Sequence, residues 1–342
     1  MQLAKSAKRL VIGGVTAAVV AAGCGAAATP APSGPFEIHL ALTPSHVSVA
    51  MAADQGLFEG IKVDYDLVGY GESSQLFQSG DDPIGNESPW ESAVYQSAGR
   101  DVRFFGTAEA NNFASGIIIR KADEAKYPDL AALKGQKVGI PGFGTGTWAA
   151  FQVVTKALAN LDATKDFEVV EGDPGSLEGL LQTNQIEAFI TFTAPTAHAL
   201  ANPAYKMLYN VTDTWYAEKG AYLPINGWEA EASWLDEHTQ IAKNFIAGAD
   251  AGLEYLKGHL SERYEGAKYE AFAQGEGVLS SPETTTVVDQ MILDDYFYLR
   301  ANVYTQSWID SVYEFIQLGE GVLLPEGEVP SKDDIFYTGT LY

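Results

Sequence analysis

Short apolar runs alternate along the chain with longer amphipathic stretches, and their order is regular. Phe36 to Leu42 reads as a partly alternating strand, broken by Thr43-Pro44-Ser45. Ser45 is placed to cap a helix starting near His46. Val47 to Phe58 is apolar and small, suited to a helix packed on a sheet, with Gly56 near its end, and Lys62 to Val68 alternates as a second strand. A β-α-β opening of this kind predicts a parallel sheet flanked by helices.

The pattern continues in the same vein. Pro83-Ile84-Gly85-Asn86 predicts a short buried strand, followed by a helix from about Pro89 to Gly99. Further strands are expected at Val102–Gly106, Gly116–Arg120, Lys137–Ile140, Phe167–Val170 and Ala188–Thr191. Helices are expected at Leu130–Lys134, from Thr147 to about Asn160, and at Ser176–Thr183; a glycine-rich turn, Pro141–Gly146, leads into the second of them. From Trp234 onward helical periodicity dominates, through Ile241, Phe245, Ile246 and Leu253, then Val287, Val288, Met291, Ile292 and Phe297. Gly319 to Pro330 is a polar tail interrupted by Gly and Pro, and no internal repeat is evident.

The N-terminus has a different character. Lys5, Lys8 and Arg9 precede the nearly continuous apolar run Leu10–Val20, and Ala21-Ala22-Gly23 stands directly before Cys24. Basic region, short apolar region and small-residue cleavage site make a secretory signal, residues 1–23. The run is too short to span a bilayer of about 30 Å. A cysteine right after the small residues resembles the bacterial lipobox, in which that cysteine is acylated and becomes the new N-terminus; Ala21 stands where that pattern favours leucine. An ordinary cleaved signal with an incidental cysteine is the alternative. Cys24 is the only cysteine, so no intrachain disulfide can form, and acylation, as with palmitate, would account for it. Residues 24–35, rich in Ala, Pro, Gly, Thr and Ser, read as a flexible tether.

The formal net charge is −24, and loss of the three leader cations makes the mature part more negative still. Such a chain repels phosphate backbones and anionic lipid surfaces, which argues against nucleic-acid binding. No later apolar run is long enough to cross a membrane.

Three segments carry a family resemblance. Ala52-Ala53-Asp54-Gln55-Gly56-Leu57-Phe58 resembles the A-x-x-x-G-L-F segment of solute-binding proteins of the nitrate/sulfonate/taurine type, also described as thiamine-pyrimidine-precursor-synthase-like. Leu133 to Pro141 is similar to their D-L-K-G-K-K-V-G-V-P segment. Leu180 to Pro195 is similar to their L-x-x-G-x-V-D-A…P segment; Asn184 or Gln185 replaces the glycine, Glu187 the aspartate, and Phe192 stands where tryptophan is common. The resemblance implies an α/β, two-lobed periplasmic-binding-protein fold (type II), with parallel or mixed sheets flanked by helices and two inter-lobe crossings. Lobe one would be 36–115 plus 227–342, and lobe two 116–226. It also implies a monomeric receptor, held at a membrane through Cys24 on the periplasmic or extracellular side, that passes a small-molecule solute to the permease subunits of an ABC transporter.

Open α/β sheets bind ligands outside the carboxyl ends of their strands, often between domains. That rule nominates Thr43, Ser45 and His46 after the first strand; Glu87, Ser88 and Trp90 after the Ile84 strand; and Asn111 after the Val102 strand. In lobe two it nominates Gly144, Thr145, Gly146, Thr147 and Trp148 in the glycine-rich turn, and Thr191, Phe192 and Thr193 after a strand, with Trp228 near the return crossing. Glycines let backbone approach a ligand, and a helix N-terminus offers N–H donors. A plain capped turn is the bland alternative for Gly142–Trp148, as core packing is for the tryptophans. None of these loops contains Lys or Arg. A neutral or cationic nitrogen heterocycle, held by Glu87 and the tryptophans, therefore fits better than an anion, which would depend on helix N-termini, hydroxyls and His46.

The rival class is an exported enzyme of the same fold. The synthases that the resemblance brings in carry a cysteine-rich segment and iron-binding histidines. Here there is one cysteine and five scattered histidines, His39, His46, His198, His238 and His259, without metal-ligand spacing. No Gly-x-Ser-x-Gly elbow or P-loop ending is present. No cofactor and no metal are expected.

Overall fold

The computed structural model of the protein describes residues 34–110, 116–143 and 145–341. Cys24, Asn111 and Gly144 lie outside them. β1 (Phe36–Leu42) pairs in parallel with β2 (Ile61–Leu67), Phe36 opposite Ile61, and α1 (Val47–Asp54) runs between them. α1 stops short of the expected Phe58 because Gly56 turns left-handed at φ +65°, which frees Phe58 to stack on Phe245 at 5.4 Å between ring centroids. α2 (Tyr70–Ser79) and α3 (Pro89–Ser97) follow, then β3 (Val102–Ala110). The strand expected at 83–86 is reduced to one bridge, Gly85 to Glu229, since Pro83 lacks the N–H a longer ladder needs.

The chain then builds a five-stranded mixed sheet. Its elements are β4 (Gly116–Arg120), β5 (Lys137–Ile140), α4 (Gly146–Ala159), α5 (Ala163–Asp166), β6 (Glu168–Glu171), α6 (Pro174–Gln182), β7 (Ala188–Thr191), α7 (Thr193–Ala201), β8 (Tyr205–Asn210) and α8 (Val211–Lys219). Strand order is β6-β5-β7-β4-β8, with β4 antiparallel to both neighbours and β5 parallel to β6 and β7. Every residue of β7 is buried, as is the Gly-Ile-Ile-Ile run of β4, the continuous apolar pattern of strands covered on both faces.

β9 (Pro224–Glu231) returns antiparallel to β3, so the chain crosses between the two halves twice, after Ala110 and before Pro224. Helices complete the molecule: α9 (Ala232–Glu237), α10 (Thr239–Gly258), α11 (Glu270–Glu276), α12 (Pro282–Leu293), α13 (Gln306–Leu318) and α14 (Lys332–Ile335). α10 crosses α1 closely; a Cβ on Gly252 would lie 2.3 Å from the Ser48 carbonyl oxygen, so only glycine fits there. The fold is the two-lobed periplasmic-binding-protein fold, with parallel and mixed sheets flanked by helices. Its two main cores do not follow sequence ranges: α13 buries Trp308, Ile309, Val312, Phe315 and Ile316 beside Trp148 and Phe151 of α4, while Ala194 and Ala197 of α7 join the core of α1 and α12. Among the described residues no helix is long and apolar enough to cross a membrane.

Candidate functional site

Where the loops of the two halves meet lies a cavity of about 390 Å³. From the first half it is lined by Ser45 after β1, Gly71 and Ser74 of α2, Asn86 and Glu87, Trp90 and Glu91 of α3, and Ile225 and Asn226 of β9. From the second half it is lined by Thr145, Gly146 and Thr147 at the start of α4, and by Phe192 and Thr193 between β7 and α7. Local sequence explains much of this. Thr145 caps α4, its hydroxyl accepting from the Trp148 N–H at 3.3 Å. Gly146, in the first turn of α4, faces Trp90; a Cβ there would stand in ordinary contact, 3.4 Å from the indole Cζ2. Thr193 begins α7 at φ +35°, a left-handed conformation that a β-branched residue rarely adopts, and strain of this kind clusters at functional sites.

The nominated residues separate into two groups. Ser45, Glu87, Trp90, Thr145, Gly146, Thr147, Phe192 and Thr193 line the cavity. The others that are described do not. Thr43 is buried with its hydroxyl 2.8 Å from Nδ1 of His46. His46 and Trp228 face each other, ring centroids 5.1 Å apart, and line a separate void of about 20 Å³. Ser88 is the buried N-cap of α3. Trp148 is 1 % exposed and stacked on Phe151, and Thr191 is buried at the end of β7. Sequence reasoning missed Ser74, Glu91 and Asn226. For Glu91 a signal existed: Ser88-x-x-Glu91 is a capping box, and its carboxylate accepts from the Ser88 N–H at 2.7 Å and hydroxyl at 2.6 Å.

Charge at the site is one-sided. Glu87 and Glu91 line the cavity, and no Lys, Arg or His does among the described residues. Burial, then the nearby Glu91 carboxylate, pushes the Glu87 carboxyl up from 4.5 to about 8, against the hydroxyl that Ser74 donates to it. Behind α3, fully buried Glu229 accepts from the Ser92 hydroxyl at 2.7 Å through one oxygen, while its other oxygen has no partner among the described residues. Burial first, and Glu87 second, hold Glu229 well above the usual carboxylate range. The guanidinium of Arg100 is committed elsewhere, donating to Glu231 at 2.6 Å and lying over the Phe77 and Tyr95 rings. His46 offers no charge, since burial lowers its imidazole to about 3 against an opposing hydrogen bond with Asn226. Among the described residues no group of three His, Cys, Asp or Glu side chains is arranged to hold a metal ion.

Known structures share the fold. The periplasmic aliphatic sulphonate binding protein SsuA from Escherichia coli superposes with a TM-score of 0.69 at 15% identity, over 90% of this chain and 94% of that one. The alkanesulfonate-binding protein SsuA from Xanthomonas axonopodis pv. citri, bound to MOPS, gives 0.56 at 15% identity, covering 85% and 97%. The ligand-binding component of an ABC-type import system from Staphylococcus aureus, with zinc bound, gives 0.59 at 13% identity, covering 89% and 98%. A search of curated sequences returns no significant match. The sequence model of the NMT1/THI5-like family matches residues 43–262, and the chain belongs to that family.

Proposed function

We propose that the chain is an extracytoplasmic solute-binding protein of an ABC importer, not an enzyme, and that it captures a small organic molecule in the cavity between its lobes. The lobes are taken as 36–115 plus 227–342, and 116–226. The observation that carries this reading is the cavity itself, formed by loops at strand carboxyl ends from both halves. Structures of this fold named as sulphonate-binding proteins and as an importer's binding component support it. A ligand touching both lobes binds the closed arrangement better and draws the hinge equilibrium toward it, and the closed form docks on permease subunits. Residues 1–23 direct export, and Cys24 carries the lipid anchor. The carboxyl-rich, cation-free lining favours a neutral or cationic solute, such as a nitrogen heterocycle of the thiamine-precursor type.

A second reading, capture of a small anion such as an alkanesulfonate, taurine or nitrate, has its own support. The N-terminal turn of α4 lines the cavity, and α7 begins there without a side-chain cap. At α3, however, Glu91 already takes the place of an anion. Titration calorimetry against alkanesulfonates, nitrate, pyrimidines and heterocyclic amines separates the readings, and X-ray scattering shows whether a binder compacts the protein. Preference for alkanesulfonates or nitrate sinks the heterocycle reading. A molecule that binds without compaction or a rise in melting temperature counts against the receptor mechanism.

A further inference from the structure

We propose that Glu87 is the counter-ion for a ligand carrying one positively charged nitrogen, so that the cleft selects organic cations by charge. This inference rests on the receptor reading and narrows its solute.

The geometry leads to it in three steps. Glu87 lines the cavity, where the Ser74 hydroxyl donates to it and the Glu91 carboxyl is its other side-chain partner, and no cation is among the lining residues described. Two more acids bear on it: Glu91, held by its capping box, and Glu229, enclosed behind Ser92. Three carboxyls crowded with no cation among the lining residues cannot all stay ionised in a poorly hydrated site; they hold protons or recruit a positive charge. An ammonium or amidinium group in the cavity supplies that charge. An anion there would face the Glu91 carboxylate and would hold the proton on Glu87, whereas a cation draws on both acids. The metal alternative is weaker, because the acids do not converge as a metal ion's ligands do.

The charged and titratable groups that bear on Glu87 among the described residues are mainly acids. α3 contributes Glu91 and Tyr95, β9 contributes Glu229, and the second half contributes hydroxyls and Phe192. Arg100, whose charge bears on Glu229, is paired with Glu231. A protonated Glu87 must lose its proton when a cation settles beside it, so capture of a cation releases a proton at neutral pH.

The test uses the whole exported part with a panel in which each small heterocyclic ring is presented as an amine or quaternary ammonium, as an alcohol and as a sulfonate. Calorimetry at pH 7 in phosphate and in Tris reads affinity and protons released together. The expected result is binding confined to the cations, release of about one proton, and affinity falling up to about tenfold per pH unit below pH 7. Glu87→Gln should lose at least about tenfold in cation affinity and abolish the proton release; Glu87→Asp, which keeps a carboxyl at the position, should retain the proton release. Sulfonates or alcohols binding as well as the amines overturn the inference and leave the receptor reading intact. Unchanged cation affinity in Glu87→Gln also overturns it, as does binding of Ca²⁺ or Zn²⁺ in place of every organic cation. A panel with no binder of any charge counts against both.

Discussion

His198 of α7 places its Nδ1 3.0 Å from the hydroxyl of Thr284 on α12, tying a helix of the five-stranded half to one that packs with β1 and β2. The Ser280 hydroxyl approaches the same nitrogen at 3.0 Å. These contacts join α7 to α12 and its flanking turn, beside the shared core that Ala194 and Ala197 enter. Replacing His198 by Ala removes hydrogen bonds worth about 0.5–1.5 kcal/mol each. The expected outcome is a few-fold loss of ligand affinity through faster release, with the melting temperature of the ligand-free protein nearly unchanged. Stopped-flow dissociation with X-ray scattering checks it; a large drop in melting temperature would show a structural role instead.

Glu87 makes stability depend on pH. Its carboxyl is raised from 4.5 to about 8, so between those values the folded chain holds a proton that the unfolded chain does not. That stabilisation is complete below pH 4.5 and is lost as pH rises to about 8; Glu229, raised in the same direction, adds to it. Glu87→Gln, which carries no charge to desolvate, should flatten the decline in melting temperature from pH 5 to 8 and raise it at pH 8 by about 3 °C or more, at roughly 2–4 °C per kcal/mol. Calorimetric scans across pH decide it, and an unchanged slope would contradict the assignment.

His46 acts with the opposite sign. Buried and lowered to about 3, it is neutral in the fold where the unfolded chain would be protonated. Its contribution is present above pH 6.5 and is lost as pH falls from 6.5 to about 3. His46→Gln should lose about 1 kcal/mol at pH 7 with the Thr43 contact, yet show a shallower acid limb. A limb as steep as the parent's would mean that other groups drive acid unfolding.

Trp148 and Gly146 are near neighbours in sequence and should respond in opposite ways. Trp148→Ala opens a hole in the core beneath α4 and should cost about 3–5 kcal/mol of stability. Gly146→Leu projects a side chain from the first turn of α4 toward Trp90 and into the cavity, and should abolish binding with little change in melting temperature. Denaturant titration beside calorimetry separates the two. Selective loss of binding in a fully stable Trp148→Ala protein would return that tryptophan to the site.

Cys24→Ser tests the anchor. The variant should move from the membrane fraction to the soluble exported fraction and lose labelling by radioactive palmitate, while purified protein binds ligand as before. Equal membrane retention would remove the lipidation proposal without touching the receptor reading.

Much of the architecture was legible along the chain because one strong local term governed it. β4 and β7 are continuous apolar runs, and Thr145 and Ser88 are cap residues at helix starts; burial and capping determine such elements within a few residues. The same local logic brought Glu87, Thr145 to Thr147, Phe192 and Thr193 into view, because loops at strand ends are the segments a sheet leaves free. Three features depended on packing. Whether a tryptophan turns to a cavity or to a core depends on helical phase and on what lies opposite, and Trp148 found Phe151 while Trp228 found His46. α13 joined the core of α4, not the one its place in sequence suggests. The buried acid behind the cleft arises only when Glu229 is brought against α3, 137 residues from Ser92 in the chain. A charge pattern along a sequence reports which acids exist; their desolvation and mutual repulsion, which give this site its chemistry, are set by the tertiary fold.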